Sequence, residues 1–494
     1  MTELIDPPPE TPLRSRAAFG IRWGAIDQGA QFVVRLAAIV VLAHYLTPHD
    51  LGVMAIASIV LSLGSLAIGL GVSDALVQRR SLDRTFVDVA FTISTATGVL
   101  VMVIVIATSS WIADLFNEPR VTGVLVAVSV IFALSGLERT PNDVLIRAMR
   151  FRDFYISSTI GTFLSVVVGI AIAVAGGGVW ALVAMAIIEA AVATVLAWAF
   201  AIRAALWRPA FAWETDRARA LLGFGSYIAG YRVIGYGREN VDNIVVGTVL
   251  GTTSLGLYSF AYRAIIAPLT KVATVLGATA FSLFSAVQHD VEKIRDGIVY
   301  GSRYVAMVCF PLTAGVAISA PLLIPVVFGD QWRGATTTVQ ILAALGPYFS
   351  LVTLDSSALN ALGKPRLQFQ IGLVEFALAL AGILGGVHWG IKGVAIGVVA
   401  AAYVALPLKL YVRCRVLNAT ARGQVLPIVP VAVATVLMAA ITLVARELLE
   451  DHVSQAAALA SVVAVGIVSY AAALRIVAPS LLAQAVRDLR TRTH

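Results

Sequence analysis

The amino-acid sequence predicts an all-α membrane protein that crosses the bilayer many times. Of its 494 residues, 59% are hydrophobic and only 13% are charged, whereas soluble proteins average about 25% charged residues. A membrane-spanning helix uses about 20 apolar residues, so about 14 helices account for most of the chain. This composition excludes a secreted enzyme, a single-pass receptor and, despite the formal net charge of +8, a nucleic-acid-binding protein.

Apolar segments separated by short polar breaks divide into fourteen predicted membrane helices. The first and seventh carry several charged residues, and Gly346 and Pro347 interrupt the tenth. The longest connection, residues 202–221, is too short to form a soluble catalytic domain. The fourteen segments are residues 18–45, 51–71, 87–109, 121–140, 154–175, 179–202, 222–248, 254–282, 298–319, 335–357, 368–388, 391–411, 426–446 and 455–477.

Lysine and arginine residues orient these helices, because cytoplasmic loops carry most of the basic residues. With an internal N-terminus, the basic residues concentrate in alternate loops, and the external loops with their adjoining helix ends hold only Arg120, Arg333, Lys392 and Arg446. We therefore predict that both termini are cytoplasmic. The proline-rich segment 1–17 lacks the basic region and short apolar core of a cleaved signal peptide, and it is predicted to be a disordered tail.

A weak internal repeat relates the two halves of the chain. Leu46–Ala57 resembles Leu250–Ala261, with identical residues at four positions. Six predicted helices separate the copies, and an even number gives both halves the same orientation, so we predict two parallel six-helix lobes. The predicted parts are an N-lobe at 18–220, a C-lobe at 221–417, two extra helices at 424–478 and a basic cytoplasmic tail at 479–494.

The sequence contains no motif typical of an enzyme, a cofactor site or a metal site. Walker A, HExxH and GxSxG patterns are missing, and the six histidines show no ligand spacing. The two cysteines, Cys309 and Cys414, form no disulfide framework. We therefore predict no catalytic residue and no bound cofactor. Function must rest on polar residues inside the membrane helices, which are costly in lipid and usually face a cavity or a partner.

The first helix carries a polar face. Gln28, Gln31 and Arg35 are spaced by three and four residues, and Asp27 lies at the edge of the same face. Two interpretations stay open: Asp27 and Arg35 could pair with other helices and fix their packing, or the face could line a central cavity.

The seventh helix has the densest polar stretch of any predicted helix. It contains Arg232, Arg238, Asp242 and Asn243. Arg238 and Asp242 are one turn apart and could neutralise each other, whereas Arg232 has no acid one turn away.

The eighth helix carries two cations on one face, Arg263 and Lys271, and contains no acid. These cations could bind an anion such as phosphate, or they could pair with acids of neighbouring helices. The candidate partners are Asp27, Asp242, Asp355 and Glu375.

Acids inside the helices are candidates for binding a coupling proton or sodium ion, because burial makes a charged carboxylate costly. They are Asp27, Glu189, Asp242, Asp355 and Glu375. Asp88, near an inner helix end, is expected to be solvated. Trp207 and Trp332 are expected to lie in the aromatic belts at the membrane interfaces.

Five short motifs follow one another along residues 17–417. They are Leu46-Thr47-Pro48-x-Asp50-Leu51-Gly52, Glu118-Pro119-Arg120, Gly178-Val179-Trp180-Ala181-Leu182-Val183, Asp242-Asn243-Ile-Val-Val-Gly247 and Leu250-Gly251-x3-Leu255-Gly256-x-Tyr258-x2-Ala261-Tyr262-Arg263. In this order they resemble the Wzx-like polysaccharide flippases of the MOP/MATE-like superfamily, which include O-antigen and colanic-acid exporters.

The resemblance implies two lobes around a central cavity whose access alternates between the two sides of the bacterial plasma membrane. It also implies an undecaprenyl-diphosphate-linked oligosaccharide as cargo, lipopolysaccharide-type surface polysaccharide as the end product, and membrane lipids, polysaccharide polymerases and glycosyltransferases as partners. Members line the cavity with cations, which fits five residues here: Arg35, Arg232, Arg238, Arg263 and Lys271.

Physical chemistry agrees with this implied cargo. A diphosphate inside the membrane needs compensating positive charge, because an isolated charge in hydrocarbon is very costly. Sugar hydroxyls need hydrogen-bonding side chains such as Gln28, Gln31 and Asn243. Since the chain has no nucleotide-binding motif, we expect a proton or sodium gradient, or the membrane potential, to supply energy.

A lipid-linked oligosaccharide flippase is therefore the principal hypothesis. One alternative is a flippase for the lipid-linked peptidoglycan precursor. A cation-coupled multidrug exporter of the same superfamily should have acids rather than cations dominating its cavity. A polysaccharide polymerase or ligase usually needs a long external loop, which this sequence lacks.

Overall fold

The computed structural model describes residues 13–68, 76, 83–204, 206–207, 209–219, 236–237, 240–267, 280, 283–450, 452–479 and 481. Every regular element within these ranges is helical, which confirms the all-α class. The chain divides into two compact units, Met1–Gly256 and Leu257–His494.

The first unit is built from long helices joined by short turns. They are α1 (Leu13–Ala43), α2 (Pro48–Ile68), α3 (Arg84–Leu115), α4 (Arg120–Val128), α5 (Val130–Arg147), α6 (Phe151–Val174), α7 (Val179–Arg203) and α8 (Asn240–Leu250), which ends in a π-helical turn.

Helix α9 (Thr252–Phe260) leads into the second unit and continues as a π-helical turn, Ala261–Ile266. The later helices are α10 (Val291–Leu323), α11 (Thr336–Ala343), α12 (Leu345–Val352), α13 (Asp355–Ala361), α14 (Pro365–Gly386), α15 (Gly390–Val416), α16 (Ala421–Val425), α17 (Val429–Glu450) and α18 (Gln455–Val477).

Eleven helical stretches of the described residues are long and apolar enough to cross a membrane. One of them, Pro365–Val416, contains both α14 and α15. The chain is therefore a multi-pass membrane protein, as predicted. The seventh and eighth predicted helices lie partly outside the described residues, so the count of fourteen stays a prediction.

The helix surfaces agree with a bilayer environment. Large apolar side chains such as Trp111, Phe163 and Val195 are exposed, which is costly in water and favourable against lipid tails. Small residues allow helices to approach closely: α14 and α15 pack so tightly that a Cβ atom on Gly386 would lie 2.2 Å from the carbonyl oxygen of Gly393. Exposed apolar surface and close small-residue packing are both typical of membrane helix bundles.

Three side chains expected at membrane surfaces are instead buried in the protein. Trp207 lies against Phe91, and its Nε1 donates to Oδ1 of Asp88 at 2.8 Å. Asp88 is thus a buried acceptor and not a solvated one, because the chain after α7 folds over it. Trp332 is also buried, stacked on Phe260 with 4.3 Å between ring centroids. The belt prediction was wrong for both tryptophans.

Candidate functional site

Helix α1 places part of its polar face against α6. Asp27 is buried, and its Oδ1 accepts hydrogen bonds from Gln31 Nε2 at 2.8 Å and from Thr159 Oγ1 at 2.5 Å. Gln31 Nε2 also donates to Ser158 Oγ at 2.8 Å. The spacing of four residues puts Asp27 and Gln31 on successive turns, so both reach α6. Hydrogen bonds from polar neighbours therefore offset the burial of this acid.

Arg35 continues the same face one turn further along α1 and pairs with α7. Its Nη2 lies 2.5 Å from Oε1 of Glu189, which also accepts a hydrogen bond from Thr162 at 3.2 Å. The Arg35 side chain is 55% exposed and that of Glu189 is 32% exposed. A guanidinium facing hydrocarbon is very costly, so the exposed side of Arg35 must meet water. Gln28 is exposed two turns before it.

The exposure of the ion pair between Arg35 and Glu189 determines whether Arg35 can exchange its partner for a bound anion. An ion pair open to solvent contributes only about 0–1 kcal/mol. A diphosphate group, which carries two negative charges, could therefore replace Glu189 as the partner of Arg35 at little cost. The hydrogen bonds of Asp27 and Gln31 agree with a role in packing. Arg35 keeps an accessible charge, and the cavity interpretation stays a prediction.

The start of α8 carries two of the predicted polar residues. The backbone N–H and Nδ2 of Asn243 donate to Oδ1 of Asp242 at 2.8 and 3.2 Å. Asn243 is buried, and Tyr236, just before α8, donates from its hydroxyl to the carbonyl oxygen of Ile59 in α2.

The predicted cation cluster is described only in part. Arg263 is exposed within the π-helical turn Ala261–Ile266. Three further predicted cations, Arg232, Arg238 and Lys271, lie outside the described residues. The cluster therefore stays a prediction.

The second unit contains a charged group around Lys409, which the sequence analysis did not identify. Lys409 Nζ of α15 lies 2.7 Å from Oε1 of Glu375 in α14, and Tyr348 donates its hydroxyl hydrogen to the same oxygen at 2.7 Å. Both charged side chains are mostly buried. Lys409 lies close to the predicted cytoplasmic end of its helix, where a lysine usually extends its amino group into water. Its position in the sequence therefore did not indicate a buried ion pair.

Arg413, one turn after Lys409, pairs with a second acid. Its Nε lies 2.6 Å from Oδ1 of Asp355, and its Nη2 donates to the carbonyl oxygen of Leu351. Both charged side chains are buried. Oδ2 of Asp355 has no hydrogen-bond partner within the described ranges, and the adjoining cavity of about 10 Å³ has room for one water molecule.

The two repeat copies pack against each other within the first unit. A Cβ atom on Gly52 would lie 1.9 Å from the carbonyl oxygen of Thr252, and a Cβ atom on Gly256 would lie 1.7 Å from that of Pro48. The repeat equates Gly52 with Gly256 and Pro48 with Thr252. Each glycine thus packs on the first residue of the other copy's helix, and the contact is two-fold symmetric.

Four of the five sequence motifs meet at this crossing of α2 and α9. His49 Nε2 lies 3.1 Å from Oε2 of Glu118, and His49 Nδ1 lies 3.4 Å from the hydroxyl of Thr253. A Cβ atom on Gly178 would touch the carboxylate of Asp50 at 3.2 Å. The motifs therefore build one close-packed polar cluster at the helix ends that the sequence predicts to be external.

Comparison with known proteins gives the relationships of the chain. A family model described as "Polysaccharide biosynthesis protein" matches residues 41–337. The lipopolysaccharide biosynthesis protein WzxC of Escherichia coli (strain K12) is 23% identical over 420 residues, which cover 84% of each chain.

Solved structures show the same fold. The lipid II flippase MurJ, in an inward closed conformation, superimposes with a TM-score of 0.76 at 13% identity, over 94% of this chain and 100% of MurJ. An inward-facing MATE family multidrug transporter of the MOP superfamily gives a TM-score of 0.61 at 15% identity, over 78% and 94% of the two chains. The chain therefore has the fold of the MOP superfamily.

Proposed function

Because the chain belongs to the polysaccharide biosynthesis protein family, we propose that it moves an undecaprenyl-diphosphate-linked oligosaccharide across the bacterial plasma membrane. The observation that carries this proposal is the accessible cation Arg35, held in a membrane-spanning helix by an exposed ion pair with Glu189. A cation in an exposed ion pair can bind an anionic cargo and release it again. The fold shared with a lipid II flippase supports a lipid-linked cargo.

In the proposed mechanism the cargo diphosphate displaces Glu189 from Arg35. Arg232, Arg238, Arg263 and Lys271 are the further cations that we propose to bind the diphosphate. Gln28, Gln31 and Asn243 donate hydrogen bonds to the sugars and accept hydrogen bonds from them. The prenyl tail stays in the lipid. No residue forms or breaks a covalent bond, so the chain acts as a transporter and not as an enzyme.

The proposed architecture has fourteen helices, two lobes at 18–220 and 221–417 around a central cavity, and cytoplasmic termini. In this orientation the crossing of α2 and α9 lies on the external side. Its close backbone contacts would then close that side while the cavity is open to the cytoplasm. Release of cargo would require the crossing to separate.

Energy for the cycle would come from a proton or sodium gradient. The acids available for coupling are Asp27, Glu189, Asp242, Asp355 and Glu375. Glu375 is favoured in the second unit, because its pair with Lys409 is less deeply buried than the pair of Asp355 with Arg413, and breaking a buried pair is strongly unfavourable.

Depletion of the protein tests the proposal in cells. Spheroplasts would be treated with a membrane-impermeant lectin or sugar-modifying reagent. We expect the lipid-linked glycan to accumulate on the inner face and surface polysaccharide to disappear. A lipid-linked glycan that still reaches the outer face after depletion would contradict the proposed function, and a drug-efflux screen would then test the multidrug alternative.

A further inference from the structure

A cavity of about 510 Å³ lies in the second unit, between the start of α10 and the chain that connects α15 to α16. Arg295, Val299 and Arg303 are four residues apart and therefore line one face of α10. The opposite wall comes from residues 418–424. The polar residues that line the cavity are Arg295, Asp296, Tyr300, Arg303, Asn418, Thr420 and Gln424.

The length of α10 places this cavity at the level of the lipid headgroups. With its terminal π-helical turn, the stretch Val291–Phe328 has 38 residues, or about 57 Å at the α-helical rise, whereas the hydrocarbon core is about 30 Å thick. Every charged residue of the stretch lies at or before Arg303, and Tyr304 to Phe328 contains none. The apolar part thus starts just beyond the cavity.

Two buried polar atoms of the lining residues have no hydrogen-bond partner among the described residues. They are Nε of Arg303 and Oε1 of Gln424, and Gln424 is only 3% exposed. A buried polar group without a partner is unfavourable. One of these atoms is a cationic donor and the other is an acceptor, so a matching ligand carries both a negative oxygen and a hydroxyl group.

The other charges around the cavity leave Arg303 as its main anion-binding group. Arg295 Nε lies 3.1 Å from Oδ1 of Asp296, and its Nη1 lies 3.8 Å from Oε1 of Glu292. Thr420 Oγ1 accepts a hydrogen bond from the N–H of Gly423 at 3.2 Å, which leaves its hydroxyl hydrogen for a ligand.

We propose that this cavity binds the headgroup of an anionic phospholipid that carries both a phosphate and free hydroxyl groups, as phosphatidylglycerol does. The phosphate binds Arg303, and a headgroup hydroxyl donates to Oε1 of Gln424. Basic pockets at the cytoplasmic membrane surface are suited to anionic headgroups. The predicted orientation assigns the lipid to the inner leaflet.

Lipid binding by the purified full-length protein tests this site independently of transport. The protein in detergent would be titrated with phosphatidylglycerol, phosphatidylcholine or soluble glycerol 3-phosphate, with native mass spectrometry and thermal unfolding as readouts. We expect phosphatidylglycerol to be retained and to raise the melting temperature, and Arg303→Gln to weaken its binding at least tenfold. Arg422→Gln is the matched control, because Arg422 is exposed on the same segment and does not line the cavity.

Thr420→Asp provides a second variant if Arg303→Gln does not fold. Aspartate preserves the helix cap at this position and adds a negative charge to the cavity, so we expect it to weaken phosphatidylglycerol binding as well. Equal binding of phosphatidylcholine, or unchanged binding in both variants, would overturn the proposal. Binding of glycerol 3-phosphate as strong as that of phosphatidylglycerol would assign the site to a soluble phosphate instead.

Discussion

At the scale of single residues, burial separates structural ion pairs from an available one. Asp355 and Arg413 are almost fully enclosed, whereas Arg35 and Glu189 are exposed at a similar distance. A buried pair that loses one partner leaves an uncompensated charge. An exposed pair can exchange partners at little cost. The exposed pair of Arg35 and Glu189 therefore contributes less to folding than the buried pair of Asp355 and Arg413, and its charges are better suited to binding cargo.

Replacement of Arg35 tests its role in cargo binding. We expect Arg35→Gln to lower export at least tenfold at an unchanged membrane level, because a hydrogen bond to a charged group contributes about 1.5–3 kcal/mol. Surface polysaccharide per molecule of membrane-inserted protein is the measurement. Arg333→Gln is the control, since Arg333 forms only an exposed pair with Asp330 among the contacts described. Full export by the exchanged pair Arg35→Glu with Glu189→Arg would show a purely structural role.

The two acids of the second unit are expected to respond differently to neutral substitution. Asp355→Asn leaves Arg413 buried without its counter-ion, at a cost of about 3–5 kcal/mol, so we expect a lower melting temperature and less protein in the membrane. Glu375→Gln also removes a counter-ion, that of Lys409, but this pair is less deeply buried. The amide oxygen can still accept from Tyr348, so we expect a smaller loss of stability and a larger loss of export. Fluorescence-detected size-exclusion chromatography after heating measures the first effect. Equal melting temperatures for the two variants would contradict this assignment.

At the scale of helices, the sequence predicts the elements better than their contacts. Apolar length and turn residues place most helix ends to within about five residues, although α3, α5 and α10 extend further than predicted. The spacing of Gln31 and Arg35 places them on one face. The partners of Asp88, Lys409 and Arg413 come from helices or loops distant in sequence, and nothing in the local pattern specifies them. The repeat is an intermediate case, because it indicates equivalent segments without showing that they touch.

The crossing of α2 and α9 makes a prediction at this scale. A methyl group at Gly52 or Gly256 would overlap backbone oxygen atoms, so we expect Gly52→Ala and Gly256→Ala to separate the helix ends. The measurement is the labelling rate of a cysteine at Thr253, an exposed position at the crossing, with a membrane-impermeant maleimide. We expect faster labelling and impaired export in both variants.

Gly123→Ala is the matched control for the crossing. Gly123 lies in neighbouring α4, and a methyl group added there would have no atom of another described helix within 4 Å. Slow labelling in both crossing variants, equal to that of the control, would show that the contact does not close this end.

At the scale of the whole molecule, the predicted orientation places loops on defined sides of the membrane. Single cysteines would replace Asp330, the first residue of a short 3₁₀ helix, and Lys364, in a turn before α14, in a chain without Cys309 and Cys414. We expect an impermeant maleimide to label position 330 in intact cells and position 364 only after lysis. The reverse pattern would place the crossing of α2 and α9 on the cytoplasmic side and contradict its proposed role as an external closure.

Translocation by the purified protein tests the central claim most directly. Proteoliposomes would contain an undecaprenyl-diphosphate-linked oligosaccharide in the inner leaflet and an imposed proton or sodium gradient. The measurement is the appearance of sugar to an external lectin. We predict rapid appearance with the native chain and slow appearance with Arg35→Gln. Sugar that stays inaccessible with the native chain under either gradient and under a membrane potential would contradict the proposal that this protein is the flippase.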